Sequence, residues 1–229
     1  MFLGIYDYTV WLTYSNLLIG FLGIFITVNE PSRINNLNYA AICLLLAGIC
    51  DYFDGIVSNF KKTRTLKEKK YGVQIDSLVD IVSFGLLPVL IGWSLFKPYL
   101  AENRMCYLLF YVIAGAYLLT ALIRLAFFNV SKEEYLNSEK TPNERPHVQM
   151  FTGVPVTCAA LFFPFVILIN KILSQSQLNE PIPFLYILCL FIFSFLFIFD
   201  KIKFKKLKNL IVVMFLLSAS VILILKLLI

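Results

Sequence analysis

The chain has 229 residues, is 59% apolar, carries charge on only 15% of its residues and has a mean hydropathy of +0.80. A soluble domain of this length carries more charge and breaks its apolar residues into faces. Here they run in stretches long enough to cross a hydrocarbon core of about 30 Å, which excludes a soluble globular protein. The expected fold is an all-α polytopic membrane protein, a bundle of six to seven transmembrane helices forming one domain over residues 1–229.

In chain order, the first apolar segment is Tyr8–Val28, with Trp11 and Tyr14 suited to the interface. The turn around Asn29 and Pro31 stops it. Segment two is Leu37–Val57, and a basic loop, Ser58–Tyr71, follows it. Segment three, Val73–Phe96, contains Pro88 as a candidate kink. Segment four is Met105–Phe128, and the loop Val130–Gln149 is polar and mixed in charge. Segments five and six are Phe151–Asn170 and Ile182–Phe199. A second basic loop, Lys201–Lys208, leads to segment seven, Leu210–Ile229. The core helices are expected at about 37–170, with extra C-terminal helices at 182–229. No internal repeat is visible. No cleavable signal peptide is expected, because Asp7 interrupts the start and no basic stretch precedes it. The five cysteines form no Cys-x-x-Cys pair and read as small apolar fillers.

Charge placement sets the topology. The second, fourth and sixth loops hold fourteen Lys and Arg against four in the first, third and fifth, which places the even loops in the cytoplasm. The net charge of +6 is therefore read as a membrane-topology signal and not as a nucleic-acid footprint. The expected location is the cell (inner or plasma) membrane, multi-pass.

Against this oily background, four carboxylates stand out. Asp51 and Asp54 are three apart near the end of segment two; Asp76 and Asp80 are four apart near the start of segment three. On helices each pair shares one face, and the topology brings both pairs to the same depth at the cytoplasmic interface. Acids within a bilayer are costly and call for a compensating partner. Hard oxygen ligands suit Mg²⁺ or Mn²⁺, with Ca²⁺ an alternative. Gly55 and Gly72 beside them allow close backbone approach. Arg124 and Asn129 arrive at the same end of the bundle. Arg124 either snorkels or binds a carboxylate or phosphate. Ser77 and Ser83 either line the site or serve packing, and His147 reads as an ordinary loop residue.

The fixed positions Asp51, Asp54, Gly55, Gly72, Asp76 and Asp80 resemble the signature of the CDP-alcohol phosphotransferase family. There are two departures. Ser58-Asn59 stand where the family has Ala-Arg, and sixteen residues separate the two glycines where the pattern has twelve. The runs Asp76–Gly85, Arg124–Val130 and Phe151–Pro155 resemble the phosphatidylserine synthase branch.

The resemblance implies transfer of a phosphatidyl group from CDP-diacylglycerol to an alcohol, L-serine in that branch, with release of CMP. It implies divalent metal held by Asp51, Asp54, Asp76 and Asp80, with Asp80 also the general base. Asp51, Gly55, Asn59, Gly72 and Asp76 would line the CDP-lipid pocket, with Arg124, Asn129 and Arg145 as acceptor or phosphate ligands. A homodimer is expected on the same ground. Asn59 lacks the charge of the usual arginine, which Lys61, Lys62 or Arg64 of the longer loop would have to supply; a membrane-surface role for these loop cations is the alternative. Glycerol 3-phosphate or inositol phosphate are the alternative acceptors within the family. A cation transporter or a membrane prenyltransferase are the readings from other classes.

Overall fold

The computed structural model describes residues 4–29, 34–61, 64–102, 104–137, 154–174 and 182–199. Among these residues the protein is all helical. Four helices are long and apolar enough to cross a membrane, and two shorter apolar helices accompany them.

Helix α1, Tyr8–Asn29, is built inside out. Its buried positions are Thr9, Val10, Thr13, Asn16, Gly20, Gly23 and Thr27, mostly polar or small and one helix turn apart, while Phe21, Leu22 and Phe25 face outward. That pattern suits a helix whose surroundings are hydrocarbon and whose polar groups must turn inward. The glycines let neighbours approach closely: a Cβ on Gly23 would stand 2.9 Å from Cys43 Cβ and from Leu87 Cδ2. The principal partner of α1 is α2, Ile34–Phe60.

Helix α3, Leu66–Asp80, begins seven residues before the expected Val73. The cause is a capping box. Thr65 Oγ1 accepts from the Glu68 amide at 3.2 Å, and Glu68 Oε2 accepts from the Thr65 amide at 2.7 Å. Helix α2 also runs past its apolar stretch to Phe60. Of the expected loop Ser58–Tyr71, residues 58–60 and 66–71 are therefore helical, and α2 and α3 follow one another as a helical hairpin with few contacts between its arms. Outside the bundle, Lys61 Nζ bonds Asp7 Oδ2 at 2.6 Å and Glu68 Oε1 at 3.3 Å, tying the chain start to this turn. The Lys61 ammonium holds the Asp7 carboxyl below its ordinary range, and Asp7 raises Lys61 in return.

Pro88 does not break the third span. A π turn, Ile81–Leu86, follows α3 directly, and α4 continues from Leu87 to Glu102. Proline has no amide hydrogen to give the carbonyl four residues back, that of Phe84. Tyr117 Oη donates to that carbonyl instead, at 2.7 Å. Tyr186 Oη likewise bonds the Pro88 carbonyl at 2.8 Å, and bare Gly92 lets its ring come close, since a Cβ there would lie 2.8 Å from Tyr186 Cε1. Both tyrosines are fully buried and both flank Phe163.

Helix α5 spans Arg104–Asn137, so Val130–Asn137 is helical where a loop was expected. Its 34 residues cover about 51 Å, well beyond the hydrocarbon. A short 3₁₀ turn, Val156–Cys158, leads into α6, Ala159–Ser174, and α7 spans Ile182–Ile198. Helix α7 packs on α5, and α6 on α2. All five cysteines are free, as their spacing indicates. Segment seven and the basic loop before it lie outside the described residues.

Replacing Tyr117 by Phe should destabilise the bundle by about 1–3 kcal/mol, because the Phe84 carbonyl loses its partner in a dry environment. In a Pro88→Ala background, where an amide is available, the same change should cost clearly less. Thermal unfolding of the four variants in detergent checks this, and equal costs in both backgrounds would contradict it.

Candidate active site

The hairpin of α2 and α3 aligns the four aspartates. Asp51, Asp76 and Asp80 each offer a carboxylate oxygen such that the three atoms lie within 4.8 Å of one another. Asp80 is 5% exposed, and its Oδ1 is buried without a hydrogen-bond partner. Three acids this close repel unless a cation or protons intervene. The donor set is all oxygen, with no nitrogen or sulfur, which fits a hard divalent ion.

Asp54 is placed differently from the other three. It is buried, and its Oδ2 accepts a short hydrogen bond from Thr13 Oγ1 of α1. It stands beside the three-oxygen cluster and not within it. The sequence reading gave α1 no part in the site; Thr13 is the residue it missed. The signal was available, since Thr9, Thr13, Asn16, Gly20, Gly23 and Thr27 repeat at alternating spacings of four and three in an apolar span. Ser83, in the π turn just after Asp80, bonds the Asn16 carbonyl at 3.4 Å, which fixes α1 against the hairpin.

The two glycines of the motif part company. A Cβ at Gly55 would meet nothing within 4 Å, so the space beside this residue is open. At Gly72 the space is taken by Arg64, whose Nη2 would stand 2.7 Å from an added Cβ. Gly72 thus admits a side chain of this protein. The Arg64 guanidinium bonds the Glu68 carbonyl at 3.3 Å and the Ser58 carbonyl at 3.5 Å. Its Nε is buried without a partner, and its charge acts on Asp54. Of the loop cations named above, Lys61 is tied to Asp7 and Glu68, and Lys62 lies outside the described residues.

On α5, Asn129 is brought to the hairpin: Ser77 Oγ donates to Asn129 Oδ1 at 2.7 Å, and Asn129 Nδ2 bonds Gln74 Oε1 at 3.4 Å. This directs Ser77 to Asn129, next to Asp76. Arg124 is half-buried about one and a half turns deeper on the same helix. A second cation unmarked in the sequence, Lys132, lies close enough for its charge to act on all four aspartates. It was hidden because Val130–Gln149 was read as loop. Helix α2 carries Asn59 near its end; the side chain of Asn59, together with Arg145, His147 and Phe151–Gly153, lies outside the described residues.

A membrane-type bundle with an oxygen-only acid cluster is chemically suited to a membrane enzyme that acts on a metal-bound diphosphate. The chain belongs to the CDP-alcohol phosphatidyltransferase family, whose model matches residues 9–228. A CDP-diacylglycerol–serine O-phosphatidyltransferase of Helicobacter pylori strain 26695 is 27% identical over 161 residues, 69% of this chain and 56% of that protein. An archaetidylserine synthase of Methanothermobacter thermautotrophicus is 28% identical over 62% of this chain and 49% of its own length. A CDP-diacylglycerol–serine O-phosphatidyltransferase of Saccharomyces cerevisiae is 29% identical over 61% of this chain and 44% of its own. The chain thus spans about half the length of the curated relatives it matches. No solved structure matches it. Family membership favours neither the transporter nor the prenyltransferase reading.

Because Thr13 holds Asp54 from outside the cluster, Thr13→Val should keep the fold and lower divalent-cation affinity by about tenfold, the usual cost of losing an orienting partner. Calorimetric titration with Mn²⁺ measures this, and unchanged affinity would contradict the role given to Thr13.

Proposed function

We propose that this protein transfers a phosphatidyl group from CDP-diacylglycerol to the hydroxyl of L-serine and releases CMP. The observation that carries the reading is the cluster of three carboxylate oxygens from Asp51, Asp76 and Asp80 within 4.8 Å, set in a family of CDP-alcohol phosphatidyltransferases. The choice of serine rests on the names of the relatives and on the runs Asp76–Gly85 and Arg124–Val130.

Asp51, Asp76 and Asp80 would hold a divalent cation, Mg²⁺ or Mn²⁺, with Asp54, oriented by Thr13, as the further acid beside it. When bound, such an ion supplies charge neutralisation to the diphosphate. The chain's own groups do the rest. Asp80 accepts the proton of the acceptor hydroxyl. The serine oxygen forms its bond to the phosphatidyl phosphorus as the phosphoanhydride bond breaks, and CMP leaves with the electron pair.

The open face at Gly55 admits the nucleotide. Arg64, which bonds the Ser58 carbonyl near the end of α2, would contribute the cation that Asn59 does not. Arg124, Asn129 and Arg145 remain the candidate acceptor or phosphate ligands. The site opens on the cytoplasm by the distribution of Lys and Arg.

Purified protein supplied with Mn²⁺, CDP-diacylglycerol and one labelled alcohol at a time should release CMP with L-serine and not with glycerol 3-phosphate or inositol phosphate. Chelation should abolish release, and Asp80→Asn should lower it by about 10²–10⁴, the range for loss of a general base. Release with another alcohol would reassign the acceptor, and none with any alcohol would contradict the enzyme reading.

A further inference from the structure

Among the described residues, Lys132 is the one cation whose charge acts on Asp51, Asp54, Asp76 and Asp80 together. Yet among the described residues it forms no ion pair with any carboxylate; its contact is with the Phe128 ring, 5.1 Å from the ammonium to the ring centre. The neighbouring polar groups on α5 are already engaged. Glu133 bonds Lys70 at 2.7 Å, and Asn129 bonds Ser77 and Gln74. These two ties pin α5 to α3 on either side of Lys132. They set its height between residues 70 and 77 of α3, on the polar-end side of the acid cluster.

A lysine held near four acids without pairing to one of them has its charge turned to something else. The acids and a cation between them suit a diphosphate. A single ammonium at their outer edge suits one monoanion arriving from water. The acceptor of the proposed reaction is such a molecule: a zwitterion whose carboxylate needs a cation, and whose ammonium is tolerated beside carboxylates. Arg124 lies eight residues away along α5, about 12 Å deeper by backbone rise.

We propose that Lys132 binds the carboxylate of the amino-acid acceptor and so sets acceptor specificity. This assignment rests on the serine-transferase reading above and specifies one part of it.

The test is steady-state CMP release by wild type, Lys132→Met and Lys132→Arg, with L-serine and CDP-diacylglycerol varied in turn. Lys132→Met should raise the KM for L-serine by about tenfold or more, as loss of a charged contact does, while the KM for CDP-diacylglycerol stays within about twofold and serves as the folding control. Saturating serine should recover most of kcat. Lys132→Arg, which keeps the charge, should return the serine KM close to wild type. An unchanged serine KM in Lys132→Met would overturn the proposal, as would a rise in the CDP-diacylglycerol KM, which would place the lysine on a phosphate. If Lys132→Met lacks activity, Lys132→Arg decides: kinetics resembling wild type support a charge role, and a raised CDP-diacylglycerol KM opposes it. Wild type without serine-dependent release would instead contradict the parent reading.

Discussion

Three carboxylate oxygens within 4.8 Å of one another, inside a bundle that exposes aromatic and aliphatic side chains to its surroundings, form the constraint on which the rest of the structure depends. Two unit charges at that separation repel by about 3 kcal/mol at an effective dielectric near 20, and there are three such pairs. A fold that holds them together needs compensation from every side. Helix α1 turns its polar stripe inward to give Thr13 to Asp54. Arg64 closes over Gly72 one turn before Asp76, and Lys132 adds its charge from α5. A bound divalent ion would complete the balance.

The π turn beginning directly after Asp80 belongs to the same arrangement. Wider turns of this kind occur often at functional sites. Here the turn separates the acid-bearing α3 from the apolar α4, so each presents its own face without a break in the rod. The Phe84 carbonyl, which Pro88 has no amide to meet, is met by Tyr117, and Tyr186 bonds the Pro88 carbonyl. Packing against Phe163 fixes those two rings. The membrane-buried half of the bundle thereby braces the polar half.

Much of this was legible in the sequence. Apolar runs marked the spans, and spacings of three and four put each aspartate pair on one face. The topology read from Lys and Arg placement brought the two pairs to one depth. What escaped was polar helix. Hydropathy ends a span where the lipid ends, but Thr65 and Glu68 cap α3 well before its apolar part, and α5 continues to Asn137 through Lys132. The second of these stretches carries Lys132. Gly72 was read as room for a ligand because a glycine is equally permissive toward ligand and side chain, and only the longer loop's Arg64 decides between them. Thr13 escaped because a hydroxyl in an apolar span is more often spent on helix packing.

The account is tested most directly by crystals grown with Mn²⁺ and a CDP-lipid, with diffraction recorded at the manganese edge. It predicts an anomalous peak enclosed by the carboxylates of Asp51, Asp76 and Asp80, in contact with diphosphate oxygens. A peak elsewhere, or a bound CDP-lipid whose diphosphate avoids these three side chains, would contradict it.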